Sequence, residues 1–275
     1  MKLEFWGVRG THPVPGRGSS RYGCATPSAL LTAKSGDLVI VDAGTGIIGL
    51  GEKLARAAAS SRRKIHVLLT HFHLDHIMGL PFFAPLSDKS ATVTFYSAAE
   101  PQETERLLAG LMAGPYFPLD FSDRPAVKHY KKLPQGTFEI GSLCISHHPL
   151  NHPQGCVAYR VDEGAQSVVF ATDTEHPPKG LDEGLAAFAR GAGILIYDAT
   201  FTPRDFEDGK RGWGHSTWLE GTKLARAASV GMLCLSHLNP EYSDKAVDAI
   251  VRSARAKFLR TRAAREGWKA IPRGA

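Results

Sequence analysis

Histidine and aspartate crowd into one short stretch of this chain, Thr70-His71-Phe72-His73-Leu74-Asp75-His76. It follows the apolar run Ile65-His66-Val67-Leu68-Leu69, which reads as a buried strand, so the cluster falls in the loop at that strand's end. Three imidazoles and a carboxylate this close together are costly to desolvate unless they share a cation. His71 and His73, two apart in a turn, can chelate one ion from the same side, whereas Asp75 and His76 project differently and can serve a second. Neutral imidazole with carboxylate is a donor mix that zinc, manganese or iron accepts. A solvated polar loop would account for any one of these histidines, but not for the cluster.

Three further positions repeat the arrangement of strand followed by donor. His152 lies in Pro149-Leu150-Asn151-His152-Pro153-Gln154-Gly155, Asp173 in Phe170-Ala171-Thr172-Asp173-Thr174, and His237 in Leu235-Ser236-His237-Leu238. Each alone would pass for a cap or turn residue, and the repetition is what points to a shared site. His147 and His148 compete with His152, and spacing alone does not choose among them. Asp42 follows the run Leu38-Val39-Ile40-Val41 and precedes Gly44-Thr45-Gly46. It reads equally as a turn cap and as an outer carboxylate that orients a histidine.

The elements that must position these residues follow from the periodicity. Leu3 to Trp6, Pro27 to Thr32, Leu38 to Val41, Thr92 to Tyr96, and the runs Phe138–Ile140, Leu143–Ser146, Cys156–Val161, Ser167–Ala171, Ile194–Asp198 and Met232–Ser236 read as strands. Ile47–Ala59, Gln102–Ala113 and Leu219–Ala228 read as amphipathic helices, with Ser60–Lys64 closing the first. Gly79–Leu86 reads as a short helix broken by prolines. Gly114–Leu119 is an aromatic loop bounded by prolines, suited to walling a pocket or docking on a second subunit, with ordinary core packing as the plainer account. Two β-rich halves, each followed by helices, predict a four-layer α/β sandwich.

The chain has 275 residues, 43% of them apolar, enough for one large core. No uninterrupted apolar run approaches the roughly 18 residues of a membrane span. Met1 to Trp6 has no apolar signal core, and four scattered cysteines without a Cys-x-x-Cys pair suit reduced thiols in a cytoplasmic protein. The charge of +6 is uneven: from Arg252 onward eight basic residues face Glu266 alone, a local +7 that leaves −1 for the first 251 residues. The expected organisation is therefore a body of residues 1–251 and a basic helical tail, 252–275. That tail is either a solvated surface helix or a contact for RNA or another polyanion.

Taken in order, His71-x-His73-x-Asp75-His76, His152, Asp173 and His237 resemble the metal motifs of the metallo-β-lactamase superfamily, with its αββα fold, and Asp42 matches that superfamily's early aspartate. Gly7–Pro13, Gly44-Thr45-Gly46, Asn151–Gly155 and Gly214-His215-Ser216-Thr217 look most like its phosphodiesterase branch, which includes ribonuclease Z and the cyclic-phosphate phosphodiesterases. The likeness runs over about residues 1 to 245. It selects His152 over His147 and His148. It implies two divalent metal ions, zinc foremost with manganese or iron as alternatives. His71, His73, His152 and Asp173 would hold one, and Asp75, His76, Asp173 and His237 the other, with Asp173 bridging. Such ions, about 3.5–4 Å apart, share a hydroxide that attacks phosphorus. Asp75 would orient it, and His215 would protonate the leaving oxygen or stabilise phosphorane charge, itself hydrogen-bonded by Asp198. Ser216 or Thr217 would also cap the helix that follows.

The implied activity is hydrolysis of a small phosphodiester such as a cyclic nucleotide or cyclic phosphate, by a homodimer. Two departures point away from tRNA 3′ processing. Pro177 to Gly193 is too short for the Gly-rich arm of ribonuclease Z, and Gly23-Cys24-Ala25-Thr26-Pro27 replaces that family's Gly-x-Asn-Thr-Ser. A ribonuclease Z-like endonuclease that uses the basic tail is the alternative enzyme. Carboxyl-ester, thioester or lactone hydrolysis fits Gly214–Thr217 less well, and a metal-binding module without catalysis least well.

Overall fold

Val168 and Phe170 face one apolar cluster, and Val169 and Ala171 another, although the four are consecutive and all buried. A strand with both faces covered reads as an unbroken apolar run, and the successive side chains divide between two cores. Ile194, Leu195 and Ile196 divide in the same way, as do Val39, Ile40 and Val41.

The computed structural model describes residues 1–16, 18–56 and 63–272. The first half runs β1 (Lys2–Gly7), β2 (Ser28–Thr32), β3 (Leu38–Val41), α1 (Gly46–Arg56), β4 (Arg63–Leu68), α2 (Leu74–Ile77), β5 (Ala91–Ser97), α3 (Pro101–Gly110) and β6 (Val127–Lys132). The second runs β7 (Thr137–Ile140), β8 (Leu143–Leu150), β9 (Cys156–Glu163), β10 (Gln166–Ala171), α4 (Glu183–Phe188), β11 (Ile194–Asp198), α5 (Pro203–Glu207), α6 (Trp218–Ala227), β12 (Leu233–Ser236), α7 (Asp244–Arg255), β13 (Thr261–Ala263) and β14 (Lys269–Ala270). They form two seven-stranded sheets, ordered β14-β1-β2-β3-β4-β5-β6 and β13-β12-β11-β10-β9-β8-β7.

One cluster, with Phe5, Leu31, Val161 and Ile196, fills the space between the sheets. A second lies between the first sheet and the helices on its outer face, where Ile47 and Leu50 of α1 and Leu108 of α3 meet Ile40, Val67 and Phe95. A third lies outside the second sheet, where Leu185 of α4, Leu224 of α6 and Ile250 of α7 meet Val169, Leu195 and Leu235. The layers are thus helix, sheet, sheet, helix, the four-layer sandwich expected. In each sheet the strands from the centre to one edge are parallel, β3 to β6 and β10 to β13. Their carboxyl ends share one rim, where open α/β sheets place their ligands.

The structure corrects the expected tail. α7 crosses residue 251 and ends at Arg255, after which β13 extends the second sheet beside β12 and β14 pairs antiparallel with β1 in the first. Thr261 and Ala263 are buried and Arg262 between them is exposed, a period of two that the density of basic residues conceals. Trp268 then stacks on Phe5, with ring centroids 5.5 Å apart and planes 3° from parallel.

Other boundaries moved slightly. α3 stops at Gly110, and Gly79–Leu86 forms two single 3-10 turns, Leu80–Phe82 and Ala84–Ser87, each with a proline in its first turn. β6 was not anticipated, because an edge strand with four of its six residues exposed and none buried carries no apolar run. Of the expected Ile47–Ala59 helix, residues 57–59 lie outside the described residues, as do 60–62 of the segment closing it. No helix among the described residues is long and apolar enough to cross a membrane.

Candidate metal centre

Apart from His215, in the loop between α5 and α6, the candidate side chains stand where strands end. Asp42 follows β3, His71 to His76 follow β4, His152 lies between β8 and β9, Asp173 follows β10, Asp198 closes β11 and His237 follows β12. Asp42 (φ 62°), Asp173 (φ 61°) and His237 (φ 54°) adopt the left-handed conformation. A non-glycine residue there costs about 1 kcal/mol or more and persists only where its surroundings hold it. The Asp42 amide donates to the Leu68 carbonyl at 2.9 Å, and the Asp173 amide to Asp198 Oδ2 at 3.0 Å. Two glycines make room: a Cβ on Gly10 would come within 2.3 Å of the His237 ring, and one on Gly214 (φ 81°) within 2.3 Å of His152 Nδ1.

The donors fall into groups whose ligand atoms all lie within 4.8 Å of one another: His71, His73 and His152; His71, His76 and Asp173; Asp75, His76 and His237; and Asp173, Asp198, His215 and His237. Asp173 joins groups on both sides. His76 Nε2 is 3.3 Å from Asp173 Oδ2, and His237 Nε2 is 3.1 Å from Asp173 Oδ1 and 3.2 Å from Asp75 Oδ2. His147 and His148 take no part: His147 Nε2 donates to the Pro134 carbonyl at 2.9 Å, and His148 stacks on Phe188 at 5.3 Å.

One nitrogen of each ring is anchored, which fixes the tautomer and frees the other. His76 Nδ1 donates to Asp42 Oδ2 at 2.8 Å. His71 Nδ1 donates to Thr70 Oγ1 at 3.0 Å, and that hydroxyl donates onward to Asp42. His237 Nδ1 donates to Thr200 Oγ1 at 2.8 Å, and His152 Nδ1 to the Gly214 carbonyl at 2.7 Å. His73 is reversed: its Nε2 donates to Gln154 Oε1 at 2.6 Å, and its Nδ1 faces His152 Nε2 at 3.0 Å.

The free atoms test whether the cage suits a cation. His71 Nε2, His76 Nε2 and Asp173 Oδ2 are fully buried and make no hydrogen bond. Orphaned polar atoms of this kind, converging from two strand ends, carry a desolvation penalty that coordination removes. The nitrogen and carboxylate set therefore fits divalent metal.

The electrostatics agree. Burial opposes protonation of His76, yet Asp173, Asp42 and Asp75 outweigh it and hold its pKa well above that of a free imidazole. At His237 burial is outweighed by Asp173 and Asp75, which raise the pKa to about 9. At His71 burial prevails, reinforced by His76, and the pKa falls to about 2. Burial would raise the carboxyls of Asp75 and Asp173, but the facing His76 and His237 keep both below the usual range. Without bound cations, the protonated imidazoles supply the positive charge these carboxylates require.

Asp198 is the hub behind His215. Its Oδ2 accepts from His215 Nδ1 at 2.9 Å and from the Asp173 amide, and its Oδ1 accepts from the amides of Thr200 (3.0 Å) and Ser216 (3.2 Å). Four donors leave it little capacity for a metal. The His215 ring packs on His237 at 4.8 Å and on His152 at 5.2 Å. Thr217 caps α6, accepting from the Glu220 amide.

Several contributors escaped the sequence reading. Glu175 accepts from the amides of Gly212 (2.8 Å) and Gly214 (2.9 Å), so it fixes the loop that carries both the Gly214 carbonyl and His215. Arg9, fully buried, donates to the carbonyls of Gly23 (2.9 Å) and Tyr242 (2.8 Å) beside the His237 loop. The Thr11 amide donates to Asp75 Oδ2 at 2.8 Å. Thr70 and Thr200 could have been sought by asking which acceptor anchors each histidine; Arg9 and Glu175 have no local signal. The Gly114–Leu119 loop packs Phe117 on Phe82 at 5.9 Å and does not line the cavity beside His71 and His73.

Residues 38–238 match the family model described as the β-lactamase superfamily domain. The ribonuclease Z of Bradyrhizobium sp. (strain ORS 278) is 28% identical over 284 residues, covering 86% of this chain and 90% of that protein. A diphosphatase from the PhnP family superposes with a TM-score of 0.71 at 22% identity, covering 98% of this chain and 96% of that one. The short form of human tRNase Z superposes with a TM-score of 0.67 at 16% identity, covering 99% of each chain. At these identities the superpositions speak to the fold.

Proposed function

The chain belongs to the β-lactamase superfamily, in its branch of metal-dependent phosphodiester hydrolases, and we propose that it cleaves a small phosphodiester, with a cyclic nucleotide or cyclic phosphate as the favoured class. The observation that carries this reading is the His215–Asp198 pair at the edge of a donor set joined through Asp173. His71, His73, His152 and Asp173 would hold one divalent cation, and Asp75, His76, Asp173 and His237 a second, with zinc foremost. Bound there, the ions would polarise a phosphoryl oxygen and lower the pKa of a water. Asp75, held by the Thr11 amide, would accept a hydrogen bond from the attacking water and orient it. His215 keeps Nδ1–H on Asp198 and presents Nε2 to the leaving oxygen, where a proton held at Nε2 would be donated.

The position of the basic residues supports a small substrate. Arg255, Arg260 and Arg262 line a cavity of about 510 Å³ with Gly193, Ile194 and Met232, at the start of β11 and β12. The donors stand at the other ends of those strands, so the charge is not arranged around the reacting centre. Metal-loaded protein should turn over bis(p-nitrophenyl) phosphate and cyclic nucleotides, with Asp75→Ala as the control. Activity no higher than that control on any phosphodiester removes the reading.

A second reading, ribonuclease Z-like cleavage of RNA, is favoured by the name of the curated relative. A precursor tRNA with a 3′ trailer separates the two. Endonucleolytic cleavage that weakens when Arg255, Arg260 and Arg262 are replaced, with a flattened salt dependence, would favour RNA.

A further inference from the structure

Beside the donors lies a cavity of about 610 Å³, lined by His71 and His73 on one side and by Phe72, Ala99, Leu107 and Val157 on the others. Its volume suits a ring-sized ligand. No Lys, Arg, Asp or Glu is among its lining residues. Its polar floor is already occupied: Ser97 Oγ bonds Thr104 Oγ1 at 2.6 Å and accepts from the Ala99 amide at 3.2 Å. Gln154 is the exception. Its carbonyl oxygen is taken by His73, and its amide nitrogen, with two N–H donors, remains for a ligand.

A neutral, largely apolar cavity that opens onto a cation cage discriminates. The next phosphate of a polynucleotide would be desolvated there against Phe72 and Leu107 with no cation to neutralise it. An uncharged ring with an acceptor on its edge would bury apolar surface and meet the Gln154 amide. His215 stands elsewhere, against His237 and His152. In an acyclic diester the group leaving beside His215 and the group held in this cavity would be the two ester arms of one phosphate; in a cyclic nucleotide one nucleoside carries both ester oxygens, and its base would enter the cavity.

Resting on the phosphodiesterase reading, we infer that the cavity between the His71–His73 turn and Leu107 is the subsite for the retained ester group. The substrate class is accordingly a small phosphodiester with one uncharged, ring-sized organic arm, such as a nucleoside, and not an internal linkage of a polynucleotide.

The test compares two substrates that share a leaving group: bis(p-nitrophenyl) phosphate, whose retained arm is a ring, and methyl p-nitrophenyl phosphate, whose retained arm is a methyl. Wild-type metal-loaded protein should prefer the first in kcat/KM by on the order of tenfold or more. Leu107→Trp, which fills the cavity, and Ala99→Lys, which charges it, should collapse that preference mainly through KM. Leu259→Ser, on the remote basic cavity, should leave it intact. A preference that survives both cavity variants overturns the inference while the phosphodiesterase reading stands. Turnover of neither ester by wild type counts against the phosphodiesterase reading, and binding then decides the subsite. By titration calorimetry, diphenyl phosphate should bind wild type more tightly than dimethyl phosphate, and Leu107→Trp should abolish the difference. Equal binding of the two by wild type, or a difference that persists in Leu107→Trp, sinks the subsite.

Discussion

Asp198 Oδ2 and His215 Nδ1 lie 2.9 Å apart although 17 residues separate them. The bond leaves His215 Nε2 free at the edge of the donor cage. Asp198 is itself immobilised by the amides of Asp173, Thr200 and Ser216, so the ring orientation is set by backbone on three sides. His215→Ala should lower kcat by about 10²–10⁴-fold, the usual worth of a positioned general acid, with bound metal unchanged. Equal loss of metal and rate would place His215 among the metal ligands instead.

Asp42 reaches no cation in the proposed sets. It anchors His76 directly and His71 through Thr70. Asp42→Ala should weaken metal retention by roughly 10–100-fold, measured by competition with a chelator, because both rings lose their fixed tautomer. Thr70→Val should weaken it less, since His76 keeps its partner. Retention at the wild-type level in Asp42→Ala would make the aspartate a turn cap only.

Glu175 holds the amides of Gly212 and Gly214. Removing it in Glu175→Ala lets His215 and the Gly214 carbonyl drift, and displacements of about 1 Å can cost up to 10²-fold in rate. Glu175→Gln keeps an acceptor and should recover most of the rate. Stopped-flow turnover compared with thermal stability separates this from a folding defect: both variants should melt within a few degrees of wild type.

Metal loading should release protons. In the metal-free protein His237 keeps its proton up to about pH 9, and His76 is raised in the same direction. Coordination needs neutral imidazole, so between neutral pH and about 9 each loading event displaces protons. Apparent affinity therefore rises with pH over that window. Calorimetric titration of zinc in two buffers of different ionisation enthalpy measures the number released; a heat independent of buffer would contradict the assignment.

Truncation after Val251 removes the end of α7 together with β13 and β14. It uncovers an edge of each sheet and deletes Trp268, which stacks on Phe5. It also deletes Glu266, which accepts from the amides of Cys24 (2.7 Å) and Ala25 (2.6 Å). The shortened chain should show no cooperative thermal transition; a normal melting curve would restore the view of the segment as an appendage.

The sequence alone carried the donors, the layers and the family resemblance, because each of these is written locally. Apolar runs such as Ile194–Asp198 announce strands buried on both faces, and a histidine or aspartate after such a run is visible without any contact. That one oxygen of Asp173 faces His76 and the other His237 was not visible. Neither were the Glu175 and Arg9 clamps or the strands of the C-terminal segment. These are relations between residues distant in sequence, and they exist only once two sheets pack face to face. A charged strand such as Thr261–Ala263 has no pattern strong enough to declare itself until its neighbour β12 offers hydrogen bonds. A cavity between a metal loop and a helix has no sequence pattern at all, because it is the space that packing leaves.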